Sequence, residues 1–219
     1  MQLPKMKYER EGVVMSGSSR FGKQYTEAVL RGLMDAGHIR RVVDVGAGSG
    51  TYRKLLDGAA ADVHWTAVEA WTPYIAEFNL NTLYDEVANQ NVCDFSFAEA
   101  KADLVIFGDV VEHMTKEEAI EVVTRAVDAA PYVIISIPVV YYPQDEVNGN
   151  PFERHVKDDW TNREVLDSMP DVVSVLVHDH IGVYLLSANF RAIRNIGQFH
   201  PDAVKMLRTE APTEYVFAT

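Results

Sequence analysis

The stretch Arg41-Val-Val-Asp-Val-Gly-Ala-Gly-Ser-Gly-Thr51 sets the reading of the whole chain. Val42, Val43 and Val45 are β-branched and suit a buried strand, which stops at Gly46. Gly46, Gly48 and Gly50 then let the backbone turn sharply and let a ligand lie close to it. Thr51 opens a helical pattern. A strand, a glycine loop and a helix in this order put the loop at a strand's C-terminal end, where open α/β sheets bind ligands. The spacing narrows the ligand. A dinucleotide fingerprint needs a third glycine three residues after Gly48, and Thr51 stands there. Asp44, two residues before the first glycine, favours a ligand with an ammonium group over one that presents a pyrophosphate.

Working outward, short apolar runs alternate with helical patterns, which predicts a parallel α/β sheet. Residues 22–36 read as a helix with Tyr25, Val29, Leu33 and Ala36 on one face and Gly37 as its stop. Strand two is 63–69, and Thr72 and Pro73 suit the cap and first turn of the helix after it. A weak strand lies near 84–87, and the fully apolar run 103–107 is the fourth. Thr115-Lys-Glu-Glu118 is a capping box ahead of Ala119, Val123, Ala126 and Val127 at helical spacing. Residues 132–137 form the fifth strand, and Thr161-Asn-Arg-Glu164 is a second capping box. Residues 172–178 and 182–186 then read as an antiparallel hairpin. The expectation is a doubly wound, Rossmann-like α/β sheet of seven strands, mostly parallel, with a C-terminal antiparallel hairpin. One domain fills 1–219: an N-terminal helical arm or lid (1–40), a core (41–188) and an extension (189–219) left unplaced.

Composition restricts function. With 219 residues, 47% of them hydrophobic, the chain can bury a core without disulfide or metal staples. Its one cysteine, Cys93, excludes an internal disulfide and every cysteine-cluster metal site. A formal charge of −12 repels phosphate backbones, so nucleic acid is not the expected partner. The longest apolar run, 132–142, is broken by Ser136 and Pro138 and is too short to span a bilayer. No signal-peptide pattern is read at residues 1–12, and a cytoplasmic location is expected.

The segment from Asp44 to Gly50 resembles motif I of the class I S-adenosylmethionine-dependent methyltransferases, and later positions resemble that family in order. Glu69 ends strand two, where the family keeps a carboxylate for the ribose hydroxyls. Asp94, in Val92-Cys-Asp-Phe95, matches the acidic residue for the adenine amino group. Phe107-Gly-Asp109-Val-Val-Glu112-His113-Met114 is similar to the motif beneath the reactive methyl. The resemblance covers roughly 41–186. It implies S-adenosylmethionine as cofactor, held by Asp44, Gly46, Ala47, Gly48, Glu69, Ala70, Trp71, Cys93, Asp94, Phe95 and Asp109, with Trp71 on one adenine face. No Pro-Cys pair exists, so thiolate attack on a cytosine is excluded, and the Asp/Asn-Pro-Pro-aromatic signature of amino-methylating DNA enzymes is absent.

On the acceptor side, an oxygen nucleophile needs a base, and histidine is the usual one. His113 and His155 follow strands four and five. The 21 residues 139–159, VVYYPQDEVNGNPFERHVKDD, form a loop long enough to be functional, with Tyr141, Tyr142, Phe152 and His155 as pocket-formers. His155 is expected as general base, with His113 and Asp109 at the reacting centre and a small-molecule hydroxyl or amine, a sugar or metabolite, as acceptor. No metal is expected. Even so, Asp109, Glu112, His113 and His155 also resemble the acid-histidine set with which metal-dependent small-RNA and some quinone-pathway methyltransferases hold a divalent ion. Two other classes stay open: a nicotinamide-dependent oxidoreductase and a non-catalytic cofactor-binding protein. A homodimer is left open as well.

Overall fold

The computed structural model describes residues 22–59, 62–207 and 214–217, with side chains described to residue 198. The first helix, α1 (Lys23–Asp35), ends where Gly37 N–H meets the Met34 carbonyl and His38 N–H reaches back to Leu33. That is the glycine-closed helix end expected from the sequence. Tyr25, Val29 and Leu33 are fully buried, whereas Ala36, expected on the same face, is the exposed C-cap.

The chain then alternates as β1 (Arg41–Val45), α2 (Thr51–Leu55), β2 (His64–Val68), α3 (Thr72–Glu77), α4 (Leu80–Leu83), β3 (Glu86–Ala88), α5 (Phe97–Ala100) and β4 (Leu104–Gly108). It continues through α6 (Lys116–Ala129), β5 (Tyr132–Pro138), α7 (Asn162–Ser168), β6 (Val172–His178), β7 (Ile181–Leu186), α8 (Phe190–Leu207) and β8 (Glu214–Phe217). Both halves of the Thr115–Glu118 capping box form at the start of α6. At α3 the expected cap is displaced by one residue. Trp71 is the N-cap, and the Thr72 hydroxyl donates to Asn89 instead.

The sheet runs β3-β2-β1-β4-β5-β7-β6-β8, and the first five strands of that order are parallel. β7 joins β5 antiparallel and β6 pairs with β7, which is the expected hairpin. β8 adds an eighth strand on β6, inside the extension that sequence reasoning left unplaced. Alternate side chains along the central strands sort into two cores, as the period of two demands. Val42, Leu104, Ile106 and Ile134 pack towards α1 and α8, while Val43, Val105, Phe107 and Val133 pack towards α6 and α7. Chain order reverses between β1 and β4, so the crevice at their C-terminal ends is the switch point where such sheets bind ligands. Among the described residues no helix is long and apolar enough to cross a membrane.

Candidate active site

The glycine loop leaves β1 through Gly46, whose φ of +60° belongs to the left-handed region. A Cβ there would also lie 2.7 Å from a Val110 methyl, so the backbone fits only without a side chain. Beside it, Glu69 lies one residue past β2 and is buried. One of its carboxylate oxygens accepts the Gly48 N–H at 3.0 Å, and the other accepts the Trp71 N–H at 2.8 Å. Each oxygen keeps a second acceptor site. Burial raises the Glu69 pKa, and the two amide bonds oppose that rise.

Asp44, in β1, is buried and accepts the Tyr84 hydroxyl at 2.6 Å. Burial pushes its carboxyl up to about 7, against the pull of Tyr84 and Lys23. Ala70 and Trp71 are half-buried at the end of β2. Cys93 and Asp94 lie in a single 3-10 turn, Val92–Asp94, with Cys93 half-buried and Asp94 exposed. The Arg125 guanidinium holds that turn through the carbonyls of Cys93 and Phe95. The Phe95 ring faces inward and packs edge-on against Phe97, with ring centres 5.3 Å apart.

At the end of β4, Asp109 adopts φ +57° and donates its N–H to the Ser136 carbonyl. This conformation is uncommon outside glycine and recurs at functional sites. The next turn, Val111–His113, carries Glu112 and His113. Glu112 is only 2% exposed, and its Oε2 has no hydrogen-bond partner among the described residues. Burial and the neighbouring Asp109 carboxylate hold its pKa well above the usual range. Its main-chain carbonyl accepts from Val156 and Lys157 and ties the long loop to this turn.

That loop contains a bridge between Val147 and Asn150 and a 3-10 turn, Pro151–Glu153. It carries His155 to within 4.9 Å of His113, ring centre to ring centre, in an edge-to-face arrangement. The Nδ1 of His113 faces the Arg154 carbonyl at 3.1 Å, and the Nδ1 of His155 faces the Tyr142 carbonyl at 2.6 Å. A carbonyl can only accept, so each Nδ1 carries its proton and Nε2 keeps the lone pair of the neutral ring. Burial lowers both histidine pKa values, against these carbonyl contacts. Glu112, His113 and His155 each offer a ligand atom, all within 4.8 Å of one another.

The structure therefore brings Asp109, Glu112, His113 and His155 to one end of β4 and β5, and Asp44, Glu69 and the glycine loop to the adjacent ends of β1 and β2. Ser18 to Phe21, read as part of a lid, lie outside the described residues. Sequence reasoning missed Lys23 and Tyr52. Lys23 is 8% exposed, donates to the Tyr52 hydroxyl at 2.8 Å, and sits 3.9 Å from the Asp109 carboxylate. Burial alone would depress its pKa, but Tyr52, Asp109 and Asp44 carry it above the ordinary lysine value. The missed signal was its register: Thr26, Leu30 and Met34, three, seven and eleven residues on, are all buried.

Residues 43–135 match the family model of a methyltransferase domain. Among solved structures, the chain is similar to an S-adenosylmethionine-dependent methyltransferase from Clostridium acetobutylicum ATCC 824. The TM-score is 0.57 at 12% identity, over 77% of this chain and 92% of that one. The N-terminal domain of EvdMO1, solved with SAH bound, gives a TM-score of 0.56 at 12% identity over 78% and 83%. An O-methyltransferase family protein from Burkholderia thailandensis gives 0.51 at 17% identity over 76% and 57%. No curated protein sequence matches the chain. The glycine loop and the switch-point crevice agree with the match of residues 43–135 to the methyltransferase-domain model, and the chain has the fold of the S-adenosylmethionine-dependent methyltransferases to which it is similar.

Proposed function

We propose that the protein transfers a methyl group from S-adenosylmethionine to a hydroxyl or amine of a small molecule. One observation carries this reading: Asp44, Gly48 and Glu69 lie at the same C-terminal end of the sheet as the facing His113 and His155 rings. When bound, the cofactor supplies an electrophilic methyl on a sulfonium, displaced in line to leave a thioether. The chain's own work is alignment, charge pairing and proton removal.

Glu69 uses its remaining acceptor sites for the ribose hydroxyls, and Ala47 and the flanking glycines admit the cofactor against the main chain. Ala70 and Trp71 border the adenine, Cys93 and Asp94 meet its edge, and Phe95 supports that turn from within. Asp44 faces the methionine ammonium. Lys23, the one buried lysine or arginine among the described residues, faces the methionine carboxylate. His155 Nε2 takes the acceptor proton as the carbon–oxygen or carbon–nitrogen bond forms, and His113 and Asp109 line the same point. His155→Ala is expected to abolish turnover while SAH affinity, measured by calorimetry, stays near wild type. Equal loss of both would reassign His155 to a structural role.

A second reading rests on the Glu112–His113–His155 cluster and the partnerless Glu112 oxygen. Carbonyl-bound Nδ1 atoms are the usual support behind metal-ligating histidines, so the donor set fits a divalent ion that would lower an acceptor hydroxyl's pKa. Methyl transfer that survives thorough chelation, together with a cobalt titration that produces no visible absorption, would remove this reading.

A further inference from the structure

We infer that the acceptor is a ring compound carrying, apart from the atom that is methylated, a positive charge, a protonated or quaternary amine, and that the loop 139–159 selects it. The inference rests on the methyltransferase reading above and concerns its other substrate. The loop is pinned over the reacting centre from three sides. Glu112 holds it through Val156 and Lys157, Tyr74 donates to Glu153 at 3.0 Å, and Val139 N–H donates to the His180 carbonyl.

On this frame sit exposed apolar side chains. Seven large apolar residues among the described ones are more than a third exposed, and five lie in this loop: Val140, Tyr141, Tyr142, Phe152 and Val156. Tyr141 is 67% exposed and Phe152 43%. The Tyr142 ring lies near-parallel to the His180 imidazole and 5.8 Å from the His155 ring, so the apolar surface borders the proposed base. Apolar faces concentrated at a reacting centre mark a binding surface for a ring.

The charge on the loop sets the sign of the ligand. Asp145, Glu146, Glu153, Asp158 and Asp159 face only two cations in the same stretch. Arg154 is bound to Glu146 at 2.8 Å, and Lys157 to Asp159 and Glu164. An anionic acceptor would have to break one of these pairs. A cation on an apolar skeleton gains from both the carboxylates and the aromatic faces. The same carboxylates offset its repulsion from the cofactor's sulfonium.

Three probes of one shape test this on the full chain saturated with SAH: benzyltrimethylammonium, benzyl alcohol and benzoate, each titrated by saturation-transfer NMR and calorimetry. The ammonium is expected to bind about tenfold more tightly than benzoate, with the alcohol between. Tyr141→Ala and Phe152→Ala, both at exposed positions, are expected to weaken the ammonium and alcohol and leave SAH affinity unchanged. Benzoate binding as tightly as the ammonium, or no probe binding, overturns the inference. SAH binding in the same sample tests the methyltransferase reading separately. Its loss sinks that reading, whereas SAH binding with the wrong probe order sinks only the acceptor class.

Discussion

At the residue scale the proposed cofactor site is tested on two buried ionisable groups, Lys23 and Asp44. The carboxylate end of the cofactor discriminates the role of Lys23. Lys23→Met is expected to weaken SAH about tenfold or more, the cost of leaving that carboxylate without its partner. The affinity of methylthioadenosine, which lacks the carboxylate, should not change. Equal losses for both ligands would mean the lysine only supports Tyr52. Asp44 sets a pH dependence. Its folded carboxyl titrates near 7 against 3.8 for the free side chain, so the folded state holds the proton more tightly. Its contribution to stability is therefore greatest below about pH 4 and is lost as the pH rises to 7, a change of about 4 kcal/mol. A bound ammonium favours the carboxylate and expels that proton. SAH affinity should therefore rise between about pH 5.5 and 7.5 in the wild type and stay flat in Asp44→Asn, whose melting temperature should exceed wild type at the upper pH. Parallel curves for the two proteins would refute the assignment. The positions of Asp44 and Glu69 near the C-terminal ends of β1 and β2 were legible in the sequence because the strand patterns fix them. Lys23 was not, because its partners Tyr52 and Asp109 lie 29 and 86 residues away, and only the fold brings them together.

At the element scale, α1 and α6 were legible because each turns one apolar face to one core, and the central strands because their short runs are apolar on both faces and feed both cores. Such patterns failed on the loop between β5 and α7, where order comes from main-chain bonds to Glu112 and side-chain bonds to Glu153 rather than from a repeating face. The end of β4 shows how an element positions the site. Gly108 lies flat against Tyr52: a Cβ there would fall 1.9 Å from the ring, and Tyr52 is itself buried. Gly108→Ala must therefore push the ring away and draw its hydroxyl from Lys23. The expected cost is about 1–3 kcal/mol of stability from overpacking, read by urea unfolding. A fall in SAH affinity like that of Lys23→Met should accompany it. Unchanged SAH affinity in a destabilised variant would show that Tyr52 and Lys23 act independently.

At the scale of the whole molecule, the sheet separates chemistry from closure. The crevice lies between β1 and β4, third and fourth in the sheet, whereas β8 closes the far edge four strands from β4, about 19 Å away at the usual strand spacing. β8 was invisible to sequence reasoning because four residues with no neighbouring element carry too little pattern to identify a strand. It pairs with Ser174–Val177 of β6, a strand that carries Val173, Val175 and Val177. Without β8, the backbone of that β-branched strand becomes a free edge, and such edges pair with other chains. A chain cut after residue 207 is therefore expected to associate with increasing concentration in sedimentation velocity, and the intact chain should do so less. Its SAH affinity should stay at the wild-type value, because no strand of the cofactor crevice borders β8. A truncated protein that stays monomeric would show that the β6 edge protects itself. One that loses SAH binding would show instead that the far edge and the crevice fold as a single unit.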